Sequence, residues 1–368
     1  MVVASQIILG VSRHGCSFLL KMVQYIIQLT LLRSGPNLTQ HDEKLLSKFP
    51  TDIRNPEEHF SLINLHTVFA VCPNPDCHKT YEPKFKRGSP VPIYPTECDH
   101  HQFYGGQKCA TLLLKPKRVS GHTIFIPIKP FLGFSFKDWL GALLSRSGYE
   151  KKMDSSWDSC QPGRDPNPEM KDIFDGGILH NFNGPDGLHF SVGHGEARYV
   201  FSMCVDFFNP LGNKQAGKRK SIGLISLICL NIPPEMRYHP ENMFLYGVVP
   251  GPNEPPLACL NHYLHHLIDE LLEFWHTGVR FSRTQEHFYG RVVRCALVCV
   301  VCDLPAARKL NGFASPRHNK ACAICHCTRH PNDLGDAYCR IWERRTQQDI
   351  QNASQRYSNA QDHCTRRE

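Results

Sequence analysis

Two aspartates and two sets of paired cysteines are the residues here whose types and spacing could do chemistry. Asp206 stands near the end of one apolar, β-branched run and Asp303 just past another, 97 positions later. If the strands carrying them lie side by side, the carboxylates meet at one edge, where their mutual repulsion calls for a hard divalent cation with oxygen ligands. Mg2+ or Mn2+ held there can activate a water or a hydroxyl and stabilise the leaving oxygen of a phosphodiester, usually with a third carboxylate. Each aspartate also has a purely structural reading. Asp206 can start the turn at Asn209-Pro210-Leu211-Gly212, and Asp303 can cap a helix beginning near Pro305.

Cys72-x4-Cys77 and Cys98-x10-Cys109 offer four thiolates on turn-rich sequence, enough for one tetrahedral structural Zn2+, with His78, His100 and His101 as substitute ligands. A segment this poor in apolar residues needs such a staple, although four unrelated thiols remain the other reading. Cys322 and Cys325 form a second candidate zinc pair. Its completing ligand is open among His318, His326, Cys327, His330 and Cys339, and loosely held free thiols are the alternative. The other cysteines of apolar runs, Cys204, Cys229, Cys295, Cys299 and Cys302, read as small buried hydrophobes. Seventeen cysteines in a chain of 368 residues with these spacings fit a reduced compartment with zinc better than a disulfide framework.

Lys214, Lys218, Arg219 and Lys220 fall in one loop a few residues after Asp206. Beside a phosphodiester-cleaving site they could hold a DNA backbone; otherwise they are a solvated hairpin. The net charge of +8 favours a polyanionic partner without demanding one, and 41% hydrophobic with 21% charged residues is a soluble globular composition. His262, His265 and His266 share one helix without a third ligand nearby, so they read as packing or solvent-side histidines.

The elements that must position these residues are legible from periodicity. Tyr199–Phe208, Ser221–Leu230 and Met243–Val249 read as strands joined by short loops, hence an antiparallel meander. Leu260 to Trp275 keeps i, i+3, i+4 apolar spacing and stops before Gly278, which predicts an amphipathic helix. Val292–Cys302 suits a strand buried on both faces, followed by a helix opening at Pro305 and ending near Gly312. A further helix is expected over Phe136–Leu144. Cys16–Leu32 is strongly apolar, but Lys21, Gln24 and Gln28 interrupt it, so a packed helix is expected and no membrane partner. No cleavage site suggests a secretory leader, and an intracellular, nuclear location is the expectation.

Four motifs in order resemble the CACTA (En/Spm-type) group of DDE transposases: Val205-Asp206-Phe207-Phe208-Asn209-Pro210-Leu211-Gly212-Asn213, Val249-Pro250-Gly251-Pro252-Asn253-Glu254-Pro255, Cys302-Asp303-Leu304-Pro305-Ala306 and Cys322-Ala323-Ile324-Cys325. The resemblance implies an RNase H-like core with Asp206 and Asp303 as the first two catalytic acids holding Mg2+ or Mn2+, and the C-x2-C pair in an insertion after the second. It also implies nuclear DNA transposition, with phosphodiester hydrolysis and strand transfer at transposon ends, and self-association as a further partnership. The expected fold class is α+β or α/β: a partial RNase H-like core (196–340) preceded by an N-terminal helical segment (1–65), a cysteine-rich zinc module (66–118) and a connecting region (119–195), with a polar tail (341–368). The family's third acid lies on a helix after a fifth strand. The sequence after Ile341 is polar, and neither Glu343 nor Glu368 follows a strand-like run. The core is therefore expected to stop short of completion, with activity impaired. A second reading is a catalytically inactive, truncated or decayed copy acting as a zinc-containing nucleic-acid-binding or interaction protein.

Overall fold

The computed structural model describes residues 12–32, 38–52, 66–89, 91–103, 106–119, 121–160, 169–192, 195–210, 220–313, 318–319, 322–327, 342–360 and 362. Residues 1–65 form one unit and residues 66–368 another.

In the first unit α1 (Arg13–Leu32) precedes α2 (Gln40–Lys48). Thr39 and Asp42 form a reciprocal cap that satisfies orphan N–H groups at the start of α2. Gln24 Nε2 donates to Leu46 O at 2.9 Å and ties the two helices. The helix expected over Cys16–Leu32 is there, but its packing is not. Cys16 and Leu20 are buried, whereas Phe18, Met22, Tyr25, Ile26 and Leu29 are exposed. Apolar side chains run around most of α1, and one short polar neighbour cannot cover them. By length and composition, His14–Leu32 could cross a membrane.

The second unit is built on a mixed eight-stranded sheet in an α+β arrangement. Its elements in chain order are β1 (His66–Val71), β2 (Thr80–Tyr81), β3 (Lys84–Phe85), β4 (Pro92–Ile93), β5 (Leu114–Val119), β6 (His122–Pro127), β7 (Lys129–Phe134), α3 (Phe136–Leu144), α4 (Tyr149–Ser155), β8 (Ala197–Phe208), β9 (Ile222–Cys229), β10 (Met243–Val249), α5 (Leu257–His276), β11 (Val279–Phe281), β12 (Arg291–Val300), α6 (Leu304–Leu310) and α7 (Gln347–Asn359). The strand order is β11-β12-β8-β9-β10-β7-β1-β2, while β3-β4 and β5-β6 are separate two-stranded ribbons.

The expected meander is observed as antiparallel β8, β9 and β10, and the expected buried strand as β12, parallel to β8. α5 links β10 to β12 and ends where Gly278 takes a φ of 75°. β8 is covered on both faces. Tyr199, Phe201, Met203 and Val205 pack with Tyr263, Leu267 and Phe274 of α5, and Val200 packs on the other side with Trp157, Phe174 and Phe190. Residues 149–160 and 169–192, read from sequence as connection, thus supply the second layer. Trp157 fixes that layer by donating its Nε1–H to Arg198 O at 2.7 Å.

The sheet is wider than the sequence suggests, because β7 and β1 extend it past β10. Gly133 and Gly247 permit this. They are Cα partners, and a Cβ on Gly247 would sit 2.6 Å from Leu132 O and 2.7 Å from the Phe131 ring. Gly247→Ala must therefore displace backbone and is expected to cost about 1–3 kcal/mol, measured as a lower midpoint in denaturant titration.

The polar segment at 341–368 is not without structure. Thr346 and Asp349 cap α7 reciprocally, and its residues are almost all exposed.

Candidate functional site

The parallel register of β8 and β12 decides where the two aspartates lie. Met203 is the partner of Val300, and Val301 N donates to Met203 O at 2.8 Å. Asp206 and Asp303 each stand three residues beyond that pair, the last of the ladder, so both lie past the same end of the pairing between two neighbouring strands. Val205 N donates to Cys302 Sγ at 3.2 Å, which keeps the two chains together beyond the last ladder pair. Both aspartates are exposed. The Cys204 thiol registers both: burial first, then the charge of Asp206 and, less strongly, that of Asp303 push its pKa up.

The structural readings divide. Asp303 does cap α6, its Oδ1 accepting from Ala306 N at 2.8 Å. A carboxylate has two oxygens, so the cap does not exhaust it. Asp206 does not open a turn, because it is still in the ladder opposite Leu224 and β8 continues to Phe208. Among the described residues neither aspartate enters an ion pair.

Glu254 was not singled out from sequence. Phe207, Gly223 and Val249 are successive partners across β8, β9 and β10, so the loop after Val249 leaves the sheet at the same end as Asp206. Ser221 Oγ donates to Glu254 Oε1 at 3.5 Å. Of the cationic loop, Lys220 is exposed at the start of β9, while Lys214, Lys218 and Arg219 lie outside the described residues. A cleft of about 290 Å³ lies between β1, β7, β10 and α5 and is lined by neither aspartate.

The structure brings Cys72, Cys77, Cys98 and Cys109 together, with all four sulfurs within 4.8 Å of one another. Cys72 and Cys109 are 3.7 Å apart and Cys77 and Cys98 3.6 Å. Tetrahedral Zn–S bonds of about 2.3 Å place sulfurs about 3.8 Å apart, so the donor set fits zinc. The protein also supports the thiolates: Asn74 Nδ2 donates to Cys109 Sγ at 3.4 Å and Tyr81 OH to Cys98 Sγ at 3.2 Å. The substitute histidines are used elsewhere. His78 Nδ1 meets Tyr263 OH at 2.8 Å, His101 Nδ1 meets Gly106 O at 2.7 Å, and the His100 ring lies edge-on to His262.

These contacts also place the helix histidines. Thr80 Oγ1 donates to His262 O at 2.7 Å and Cys259 Sγ to Asp76 O at 3.4 Å, so α5 is the seat of the cysteine module. Burial, then the neighbouring His100, draws the His262 pKa down to about 4.

At the second pair, Cys327 joins Cys322 and Cys325 within 4.8 Å. His326 turns instead to Asp349, 3.4 Å away, and His330 and Cys339 lie outside the described residues. Three thiols in a bend between residues 322 and 327 can hold a thiophilic ion with a fourth position for another donor.

Residues 185–364 match a family model described as transposase family tnp2. The matched stretch runs from β8 through α7 and includes both aspartates and the three-cysteine bend, while the four-cysteine module precedes it. No curated protein matches the chain. The similarity supports a transposase family for this part of the molecule.

Proposed function

We propose, from the similarity of residues 185–364 to tnp2 transposases, that this chain is a CACTA-type DDE transposase acting on DNA in the nucleus, with an RNase H-like core. The observation that carries the reading is the placement of Asp206 and Asp303, both exposed, past the same end of the parallel β8-β12 pairing. The order β10-β9-β8-β12, antiparallel except for the last pair and with α5 between β10 and β12, supports this reading, while β11 lies antiparallel on the far side of β12. In this reading Asp206 and Asp303 hold Mg2+ or Mn2+, whose chemistry is to lower the pKa of a bound water and to offset charge on the phosphodiester. Asp303 is oriented by its bond to Ala306 N and Asp206 by the ladder around it. Water oxygen attacks phosphorus as the P–O3′ bond breaks, leaving a 5′-phosphate and a 3′-hydroxyl. That hydroxyl oxygen then attacks a second phosphodiester in strand transfer, forming a new P–O3′ bond as the attacked strand's own P–O3′ bond breaks and leaves a 3′-hydroxyl. The four-cysteine module is held by zinc and packs against α5, which spans the back of the same sheet.

The test is cleavage of labelled duplex carrying element ends by the purified chain in Mg2+ or Mn2+. Asp206→Asn and Asp303→Asn are each expected to lower the rate about 10³-fold, the equivalent of about 4 kcal/mol of transition-state stabilisation. Cleavage that persists at the unmodified rate in either variant would remove these residues from the mechanism.

A further inference from the structure

Much of the net positive charge of the chain falls in one stretch of the sequence. Between Pro83 and Lys137 the sequence carries nine cations (Lys84, Lys86, Arg87, Lys108, Lys115, Lys117, Arg118, Lys129 and Lys137) against Glu97 and Asp99, which is +7 of the chain's +8. No acidic residue occurs between Asp99 and Asp138. Within this stretch β5 and β6 pair only with each other, from Leu114↔Pro127 to Val119↔His122, and so form a free-standing two-stranded ribbon. Lys115, Pro116, Lys117, Arg118 and Val119 are all exposed, as are His122, Thr123 and Phe125.

The ribbon is mounted firmly. Ile128 N donates to Leu113 O at 2.8 Å and closes its base, and Leu113, fully buried, packs among Cys72, Cys77 and Cys98. Six residues per strand carry the tip about 17–20 Å beyond that base.

Lysines on a strand edge also guard against aggregation. That explains one or two of them, but not Lys115, Lys117 and Arg118 together on one exposed strand in a stretch with no acidic residue between Asp99 and Asp138. Lys115 and Lys117, two positions apart, fall on one face about 7 Å from each other, a spacing that suits successive phosphates, and Arg118 falls on the opposite face. The B-DNA major groove admits a two-stranded ribbon, whereas the major groove of duplex RNA is too deep and narrow for side chains to read.

We infer that the β5-β6 ribbon is a docking element for duplex DNA, set in the major groove with Lys115, Lys117 and Arg118 on the flanking phosphates. The contact is to the backbone and carries no sequence information. It uses neither Asp206 nor Asp303 and stands independently of the catalytic reading.

The experiment is fluorescence-anisotropy titration of the full chain with a labelled duplex of about 30 base pairs and arbitrary sequence, across a salt series. Lys115→Glu/Lys117→Glu/Arg118→Glu is expected to weaken binding about 100-fold at 0.1 M salt, and the neutral Gln triple variant to reduce the slope of log K against log salt by roughly 2–3. Reversal of Lys151, Lys152 and Lys171 is expected to leave affinity within about threefold. Circular dichroism checks that the surface variants stay folded. An unchanged affinity and slope in both triple variants overturns the inference, as does RNA duplex of the same sequence binding as tightly as DNA.

Discussion

Cys98→Ser is expected to abolish the zinc binding proposed for the four-cysteine centre and to unfold the segment from Cys72 to Leu114. Cys98 is fully buried, and its sulfur is 3.6 Å from that of Cys77. The segment has little else to hold it: the cluster that includes these cysteines contains Leu113 as its one fully buried aliphatic side chain, with Tyr81 and Leu114 only partly buried. Structural zinc contributes about 10–16 kcal/mol to the folding of small thiolate modules. A serine hydroxyl cannot replace a buried thiolate, so most of that is lost. Metal analysis of the purified chain is expected to lose one zinc in Cys98→Ser and none in Cys204→Ser. Hydrogen exchange is expected to show opening of residues 72–114 while β8 and β12 stay protected. A metal-free chain with the same protection pattern would refute the centre.

How much of this was legible in the sequence follows from which interactions are local. β10 was read at its observed ends and α3 likewise, because period, caps and turn residues lie within the element. The pairing of β8 with β12 was also accessible, since two buried runs separated by a long helix constrain it. The four cysteines announced themselves through spacing. The place of β1 and β7 in the sheet was not legible. Pro130 and Gly133 weaken β7 as a strand signal, and what makes it one is close approach to Gly247, over a hundred residues away. The exposure of α1 was missed because apolar content alone cannot say whether a partner surface exists. Cys327 could not be separated from four other donors, because the choice depends on His326 turning to Asp349.

The buried ion cluster at the start of β12 left no sequence signal, yet it carries the second large expectation. Arg291 Nη1 donates to Glu150 Oε1 at 3.1 Å and to Asp154 Oδ2 at 2.6 Å, and Nη2 donates to Glu196 O at 3.2 Å. Glu150 has no exposed side-chain surface and also accepts from Glu286 N at 3.2 Å and meets His287 Nδ1 at 3.1 Å. Arg291→Leu would leave that carboxylate buried without its main partner. The expected cost is about 3–5 kcal/mol, or a fall in Tm of roughly 10 °C. Burial pushes the Glu150 pKa up, but hydrogen bonds from Thr284, Arg291 and the Glu286 N–H, with the charge of His287, outweigh it and hold the carboxyl below the ordinary glutamate value. A folded-state pKa below the unfolded one gives stability that is present above the ordinary glutamate range and lost as pH falls through the depressed value. Without Arg291 one of the interactions that hold the carboxyl down is gone, so the folded pKa rises towards the unfolded one and the pH-dependent part of the stability shrinks. The gap between the variant and the native chain is expected to narrow as pH falls below the ordinary glutamate range, and Glu150→Gln/Arg291→Leu to recover part of the loss at pH 7. Thermal unfolding of the native chain and both variants from pH 7 down through the glutamate range distinguishes these outcomes. If Arg291→Leu melts within about 2 °C of the native chain, with a parallel pH profile, the cluster contributes nothing to stability.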